Sequence, residues 1–353
     1  MIRVVTLILF VVFVFQGCKK DPEVRLLDPP VYDINFFVPP GFPKPVYEFK
    51  GENKLTEAGF KLGRQLFYDP ILSRDNTISC GSCHQQFVAF AHSGHSTSHG
   101  IDGQFGTRNA PALQNLIWHP AFMHDGGINH IEMQPLSPII NPIEMDGDLK
   151  VIIERLKANA TYRKRFKAAF GDEEINSQRI FYALTQFQGF LMSYNSKYDK
   201  YIRGEKGGQF SEDEKKGLAL FEKKCASCHT PPLFTNFEFI NIGLDSAFIS
   251  DKGRADITLQ SEDIGKFKVP SLRNIEKTFP YMHDGRFWSL NEVLDHYRFH
   301  VKQVDNLHPL LRSGIQLSDE EKNQIIKFLK TLTDESFIND PRFADPFQNQ
   351  EVH

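Results

Sequence analysis

Two copies of one five-residue motif constrain this chain more than any other feature of its sequence. The first copy is Cys80-Gly-Ser-Cys-His84 and the second is Cys225-Ala-Ser-Cys-His229. Two cysteines in this spacing, followed directly by a histidine, are typical of c-type haem attachment. Each thiol bonds to one haem vinyl group, and the histidine is then placed to ligate the iron. The two motifs therefore predict two covalent haems, held by Cys80, Cys83, Cys225 and Cys228, with His84 and His229 as iron ligands.

The same four cysteines have two alternative interpretations. Two Cys-x-x-Cys pairs are common ligands of structural zinc, so both pairs together could form one tetrahedral site. A histidine directly after each pair is not required by zinc and favours haem. A thioredoxin-like redox pair fits less well, because neither motif lies in a βαβ pattern.

The fifth cysteine, Cys18, follows an export pattern at the start of the chain. Arg3 precedes an apolar run over residues 4–15, which is too short to span a bilayer and is typical of a signal peptide. The run ends at Gly17-Cys18, and polar residues follow at once, which resembles a bacterial lipoprotein cleavage site. We expect residues 1–17 to be removed and the exported protein to be lipid-anchored through Cys18, on the periplasmic side or in the cell envelope. An uncleaved N-terminal anchor would leave the protein on the same side.

Length and composition favour two domains. The 353 residues exceed the usual size of one domain, and the net charge of −3 gives no reason to expect a nucleic-acid partner. Prolines interrupt the chain after the signal region, so residues 18–50 are predicted to form a tether and an extended arm. The glycine-rich stretch 203–209 is a natural boundary. It separates a predicted N-terminal haem domain at 51–205 from a C-terminal haem domain at 206–353.

Helix signals recur along both halves. Thr56 is predicted to cap a helix that ends near Tyr68, and further helical patterns cover about 149–170 and 177–194. Ser211 and Glu214 form a capping box that begins a helix leading to the second haem motif. Ser318 and Glu321 form another, which begins a helix that runs to about residue 332.

Three other sequence blocks also occur twice and in the same order. Residues 63–67 are similar to 217–221, residues 111–115 to 270–274, and residues 123–126 to 282–285. Matched blocks in one order are expected from duplication of a one-haem unit. The predicted fold is therefore mainly α, with two cytochrome-c-like haem domains related by internal duplication.

Three sequence blocks, together with both haem motifs, resemble the bacterial di-haem cytochrome c peroxidase family, its MauG branch included. They are Arg108-Asn-Ala-Pro111, Asn141-Pro-Ile-Glu-Met145 and Pro280-Tyr-Met-His-Asp-Gly285. The resemblance runs from about Leu55 to the C terminus. It implies a c-type peroxidase that reduces hydrogen peroxide at the first haem. Electrons from a cytochrome c or a similar small protein enter at the second haem, and the resemblance also admits a homodimer.

The resemblance implies roles for residues on the open side of the first haem. Glu144 matches the distal acid of the family, Gln134 matches a distal glutamine, and Pro138 matches a proline over the haem face. A carboxyl group held above the iron can relay the proton that cleavage of the peroxide O–O bond requires. The amide of Gln134 can donate a hydrogen bond but cannot relay protons.

Further ligands follow from the same resemblance. His99, one of three histidines in the loop 91–106, matches a histidine that can close the first haem. At the second haem the sixth ligand is Tyr297, as in MauG, or Met282, since methionine serves in many peroxidases of the family. A calcium ion between the domains is implied, with the ligands Asn109, Thr278 and Pro280.

One departure and two rival functions bear on this interpretation. The family usually has a tryptophan between the haems where this chain has His124. Electrons would therefore pass directly through space or through Trp118, or the enzyme would work differently. A MauG-like oxidase that modifies a partner protein is the main rival, and Tyr297 favours it. A non-enzymatic di-haem electron carrier is the second rival, although a carrier has no need of Glu144 above an open iron site.

Overall fold

A computed structural model of the chain describes residues 34–347. The predicted signal peptide at 1–17, the lipid site Cys18 and the first part of the predicted tether lie outside this range. Between residues 34 and 347, no helix has the length and apolar character needed to cross a membrane. The described residues are mainly helical, as predicted from the sequence.

The regular elements are mostly short. The one sheet among residues 34–347 has two antiparallel strands, β1 (Phe239–Ile240) and β2 (Phe267–Lys268). Phe239 pairs with Lys268, and Ile240 pairs with Phe267. The helices are α1 (Glu57–Tyr68), α2 (Cys80–Cys83), α3 (Leu136–Ile140), α4 (Leu149–Ala158), α5 (Ala160–Phe170), α6 (Ser177–Gly189), α7 (Lys197–Ile202), α8 (Glu212–Lys224), α9 (Ala255–Thr258), α10 (Leu290–Asp295), α11 (Asp319–Lys330) and α12 (Glu335–Ile338).

The predicted helix caps are confirmed. The Thr56 side chain accepts a hydrogen bond from the backbone of Gly59, and both predicted capping boxes begin the helices α8 and α11. The prediction of one continuous helix over 149–170 was wrong. Asn159 adopts an extended backbone there, and its side chain accepts hydrogen bonds from the first turn of α5, so it ends one helix and caps the next.

Each half is built on a closely packed helix pair. In the first half α1 crosses α6 at Gly63, where an added methyl group would overlap the carbonyl oxygen of Ala183. In the second half α8 crosses α11 at Gly217, where a methyl group would overlap the carbonyl oxygen of Gln324. Glycine allows these helix backbones to approach because it has no side chain.

Two of the repeated sequence blocks also adopt matching backbone conformations. Asn115 and Asn274 both have a positive φ, of 56° and 57°. Met123 and Met282 do as well, with φ of 66° and 75°. The residue before each methionine pairs with a residue six positions further on, in the isolated bridges Phe122–Ile128 and Tyr281–Phe287.

The two ends of the described chain pack on the first half. The described part of the predicted arm has no helix or strand, and its Pro43 carbonyl accepts a hydrogen bond from Trp118 Nε1 at 2.8 Å. After α11 the chain returns, so that Phe337 and Phe343 join the core around α1 and α6. The Tyr68 hydroxyl donates to the Phe343 carbonyl at 2.7 Å.

Candidate active site

The first haem motif forms one helical turn, α2. The backbone N–H of Ser79 donates to the Ser82 hydroxyl, and the N–H of His84 donates to the Cys80 carbonyl at 2.9 Å. Residues three apart on a helix share a face, so this turn presents Cys80 and Cys83 on the same side. Both thiols can then bond to one flat cofactor, while His84 lies just beyond the turn.

The imidazole of His84 is oriented for metal ligation. Its Nδ1 lies 2.7 Å from the carbonyl oxygen of Phe90, and because a carbonyl only accepts, Nδ1 carries the proton and Nε2 is left as the ligand atom. Burial lowers the pKa of His84 to about 4, opposed by hydrogen bonds to the carbonyls of Phe90 and Pro111. The side chain is therefore neutral near pH 7, which is the form that binds iron.

The second motif repeats this arrangement. His229 Nδ1 lies 3.3 Å from the Phe234 carbonyl oxygen and 3.1 Å from that of Pro270. Burial lowers the pKa of His229 to about 4 as well. Both motifs thus hold a neutral imidazole by backbone carbonyls and leave Nε2 available, which suits two histidine-ligated haems.

A cavity adjoins the first motif. Two side-chain atoms in its lining, Gln134 Oε1 and His99 Nε2, are buried and have no hydrogen-bond partner among the described residues. Buried polar atoms normally have partners, so these two indicate a polar group that binds in the cavity. The cavity brings together Cys80, Cys83, His84, His99, Gln134, Pro138 and Glu144, and these residues fit a covalent haem with a polar open side.

Glu144 is the acidic residue of the cavity lining. Burial raises its pKa, and a hydrogen bond from the Asn141 side chain, 2.7 Å from Glu144 Oε1, partly opposes that rise. Burial also raises the pKa of Cys80 to about 12 and that of Cys83 to about 11, and the charge of Glu144 adds to both shifts. Glu144 therefore lies near both thiols and can exchange a proton with a ligand bound beside them.

The loop that carries His99 is fastened to the turn that carries Glu144. The Ile101 N–H donates to the Glu144 carbonyl at 2.7 Å. The guanidinium of Arg74 pairs with Asp102 of the loop at 2.6 Å and with Asp146 of the turn at 2.7 Å. The cavity lining includes His99 but neither of the other loop histidines, so His99 is the one placed toward the bound group.

The two predicted ligands of the second haem differ in their surroundings. Tyr297 belongs to a π-helical turn, His296–His300, that follows α10 directly. Such turns are rare and are frequent at functional sites. Burial raises the pKa of Tyr297, and the charges of Cys225 and Cys228 raise it further, which indicates that the phenol lies near both thiols. Met282 instead lies in a turn whose backbone matches that of Met123.

One of the predicted calcium ligands, Asn109, lies at the contact between the halves. The backbone N–H of Asn109 donates to the His283 carbonyl at 2.7 Å, and its side chain donates to the Ser96 carbonyl at 3.0 Å. Thr278 and Pro280 lie a few residues before His283 in the chain. Calcium binding by these three residues stays a prediction.

Several residues that shape the site were missed by sequence reasoning. Asn141 is part of a quoted family block, so its position was a usable signal for a partner of Glu144. Arg74 carries no local signal, since both of its carboxylate partners are distant in the sequence. The carbonyls of Phe90 and Pro270 are backbone groups and leave no trace in the side-chain pattern.

Comparisons with known proteins agree with this site. The family model described as di-haem cytochrome c peroxidase matches residues 57–207. The methylamine utilization protein MauG of Methylorubrum extorquens is 36% identical over 285 residues, which cover 79% of each chain. The cytochrome c551 peroxidase of Nitrosomonas europaea is 33% identical over 277 residues, 77% of this chain and 79% of that protein.

A solved structure is similar over nearly the whole fold. It is the crystal structure of a MauG-like protein associated with microbial copper homeostasis, at a TM-score of 0.82 and 35% sequence identity, covering 89% of this chain and 99% of that chain. From its motifs, its site and these relatives, this chain belongs to the di-haem cytochrome c peroxidase family, whose members carry two c-type haems and are oxidoreductases that act on peroxide.

Proposed function

We propose that this protein reduces hydrogen peroxide to two molecules of water. The reaction consumes two protons and two electrons, and the electrons come from a small redox protein such as a cytochrome c. The observation that carries the proposal is the presence of a buried carboxyl group, Glu144, in the same cavity as Cys80, Cys83 and His84. An electron carrier needs no acid–base group at this position.

The chain's own residues have separate tasks in this reaction. Bound haem would supply the electrons that break the O–O bond. Glu144 accepts the proton from the near oxygen of peroxide and returns it to the departing oxygen. Gln134 orients the peroxide by accepting a hydrogen bond at its buried Oε1 atom, which has no partner among the described residues. Pro138 contributes apolar surface, and His99 closes the cavity when no peroxide is bound.

A second candidate function is the oxidation of a partner protein, as in a MauG-like enzyme. The proximity of Tyr297 to the second pair of thiols favours it. A phenolate oxygen is a hard anionic ligand that stabilises oxidised iron, whereas the thioether of Met282 stabilises reduced iron and raises the potential. Tyrosinate ligation would make the second haem a poor entry point for electrons from a cytochrome and a better store of oxidising equivalents.

We also propose the wider organisation that the sequence predicts. The glycine contacts at Gly63 and Gly217 and the matched turns support duplication of a one-haem unit, with domains at 51–205 and 206–353. Asn109 bonds to the second half, which supports an interdomain calcium site with Thr278 and Pro280. We further propose that the protein is exported, lipid-anchored through Cys18 and homodimeric.

Peroxide reduction is tested by stopped-flow spectroscopy of the half-reduced holoprotein. We expect rapid oxidation by peroxide, followed by steady turnover when reduced cytochrome c is supplied. Exchange of electrons with cytochrome c, without any reaction with peroxide, would identify a carrier instead. Peroxide consumption that is accompanied by a mass change in a co-purifying protein, with no cytochrome oxidation, would identify the MauG-like alternative.

The ligand of the second haem is tested by the near-infrared charge-transfer spectrum of the ferric protein. For the MauG-like alternative we expect no thioether–iron band in the wild type, a changed second-haem spectrum in Tyr297→Phe and an unchanged one in Met282→Leu. For the peroxidase we expect a thioether–iron band in the wild type. A thioether band that persists in Tyr297→Phe and disappears in Met282→Leu would assign the ligand to Met282.

A further inference from the structure

A closed set of three hydrogen bonds joins the segment before α1 to a turn beside the cavity of the first haem. The Tyr47 hydroxyl donates to Glu132 Oε1 at 2.6 Å. The Asn53 amide donates to the Tyr47 hydroxyl at 2.9 Å and to the same Glu132 oxygen at 3.0 Å. Two side chains that precede α1 therefore hold one carboxylate oxygen of a residue 85 and 79 positions later in the chain. These three residues, Tyr47, Asn53 and Glu132, are called the anchor below.

The two residues that hold Glu132 are themselves fixed to the first half. Asn53 is 2% exposed, and its Oδ1 accepts a hydrogen bond from the Gln186 side chain of α6 at 3.0 Å. The backbone N–H of Tyr47 donates to the Ile117 carbonyl at 2.9 Å. Burial, and next the bond to Glu132, raise the pKa of Tyr47 above its ordinary value, so the hydroxyl keeps its proton and donates near pH 7. The anchor therefore fixes Glu132 to the core of the first half.

Glu132 lies two residues before Gln134, which lines the cavity of the first haem. The turn Ile131–Met133 ends at Gln134, whose N–H donates to the Ile131 carbonyl at 3.2 Å. Because consecutive Cα atoms are about 3.8 Å apart, those of Glu132 and Gln134 are separated by at most about 7.6 Å. Gln134 is 8% exposed, and its Oε1 has no partner among residues 34–347. A displacement of Glu132 would thus move the backbone that carries the Gln134 side chain.

We propose that Tyr47 and Asn53 position Gln134 for the bound peroxide, with Glu132 as the link between them. Both residues act through Gln134, so they are positioning residues. The family match begins at residue 57 and does not include either of them. The segment that leads from the predicted tether into the first haem domain is thereby part of the support of the active site. The proposal rests on the role of Gln134 in the proposed function.

Paired substitutions separate the hydrogen bonds of the anchor from the bulk of its side chains. Tyr47→Phe removes the hydroxyl and keeps the ring, which packs edge-on against Phe49 at 5.3 Å. Tyr182→Phe is the matched control, because Tyr182 is a neighbour of Tyr47 whose hydroxyl accepts a hydrogen bond from Gln178 at 2.7 Å. Glu132→Leu removes the acceptor, whereas Glu132→Gln keeps an oxygen that can accept from both partners.

The measurement is the second-order rate constant for peroxide with the half-reduced holoprotein, in the wild-type background and in a Gln134→Leu background. We expect Tyr47→Phe and Glu132→Leu to lower it by about two- to tenfold, the factor that corresponds to one hydrogen bond. Glu132→Gln and Tyr182→Phe should stay near the wild type. In the Gln134→Leu background, Tyr47→Phe should have no further effect, because the effects of residues that act through one another are not additive.

Two results would overturn the proposal. An equal loss from Tyr47→Phe in both backgrounds would show that the anchor acts on the fold in general, and no loss in either would show that Gln134 needs no anchor. The rate of cyanide binding to the ferric first haem gives the same comparison without turnover, because hydrogen cyanide also brings a proton into the cavity. If the wild type binds cyanide and does not react with peroxide, the proposed function fails, and the cyanide rates alone decide whether the anchor positions Gln134.

Discussion

The buried carboxyl group of Glu144 carries the acid–base chemistry of the candidate site. A carboxylate in water is a weak base, because its pKa lies well below neutral. Burial in the cavity disfavours the charged form and raises the pKa of Glu144, which makes its carboxylate a stronger base. The hydrogen bond from Asn141 limits this rise, since it stabilises the charged form.

Glu144→Gln is expected to slow the reaction with peroxide by about 10²–10⁴-fold, the usual contribution of a general acid–base group. The substitution keeps the size and polarity of the side chain but removes its ability to relay a proton. The measurement is the second-order rate constant for peroxide with the half-reduced protein. A rate constant equal to that of the wild type would rule out the relay.

The pH dependence of the same rate constant tests the direction of the pKa shift. Glu144 must be ionised to accept a proton, so the rate should fall as the pH drops through its pKa. Because burial raises that pKa, the midpoint should lie above 4.5, the ordinary value for glutamate. Asn141→Leu removes the opposing hydrogen bond and should move the midpoint to higher pH. A midpoint at or below 4.5 in both proteins would contradict the shift.

Single residues differ in how far the sequence can predict them. The ligating residues Cys80, Cys83 and His84 were predictable because the chemistry of haem attachment fixes their spacing in the chain. Arg74 was not, because it acts on Asp102 and Asp146, which are adjacent to it only in the folded protein. The family resemblance supplied Glu144, since a lone glutamate would otherwise be assigned to the surface.

At the scale of elements, the helix pairs around each haem motif depend on close backbone contact. Where α8 crosses α11, Gly217 lies against the carbonyl of Gln324 and the side chain of Phe328. The helix starts were predictable, because caps are local signals such as Ser211 with Glu214. The break at Asn159 was not, because the apolar pattern continues across it and the cap depends on the backbone of that one residue.

Gly217→Ala is expected to destabilise the protein despite the better helix propensity of alanine. Propensity would contribute about 1 kcal/mol of stability, whereas overpacking against a backbone carbonyl costs about 1–3 kcal/mol. The net loss should appear in the free energy of unfolding by guanidinium chloride. Lys216→Ala, one residue earlier on the exposed side of α8, is the control and should change little. A Gly217→Ala protein that is more stable than the wild type would show that α8 and α11 can move apart without a loss of stability.

At the scale of the whole molecule, Asp334 ties three distant segments together. It is 1% exposed. Its carboxylate accepts hydrogen bonds from the backbone N–H groups of Tyr194 and Asn195, both at 2.9 Å, and from that of Phe337 at 3.1 Å. Its own N–H donates to the Asn274 side chain at 2.7 Å. The sequence could not predict these contacts, because Tyr194, Asn195 and Asn274 all lie at least 60 positions away from Asp334.

Asp334→Ala should therefore destabilise the fold and loosen the return of the C-terminal segment onto the first half. The backbone N–H groups of the half-buried Tyr194 and Asn195 would lose their hydrogen-bond partner, and each unsatisfied group costs about 1–3 kcal/mol when it is kept from water. Guanidinium unfolding should show a loss of about 3 kcal/mol, and hydrogen exchange should become faster around Phe337 and Phe343. Glu335→Ala, an exposed neighbour, is the control for the loss of a charge. Unchanged hydrogen exchange at Phe337 and Phe343 in Asp334→Ala would contradict this prediction. It would mean that apolar packing alone holds the C-terminal segment on the first half, and that Asp334 joins only the residues around 194 and 274.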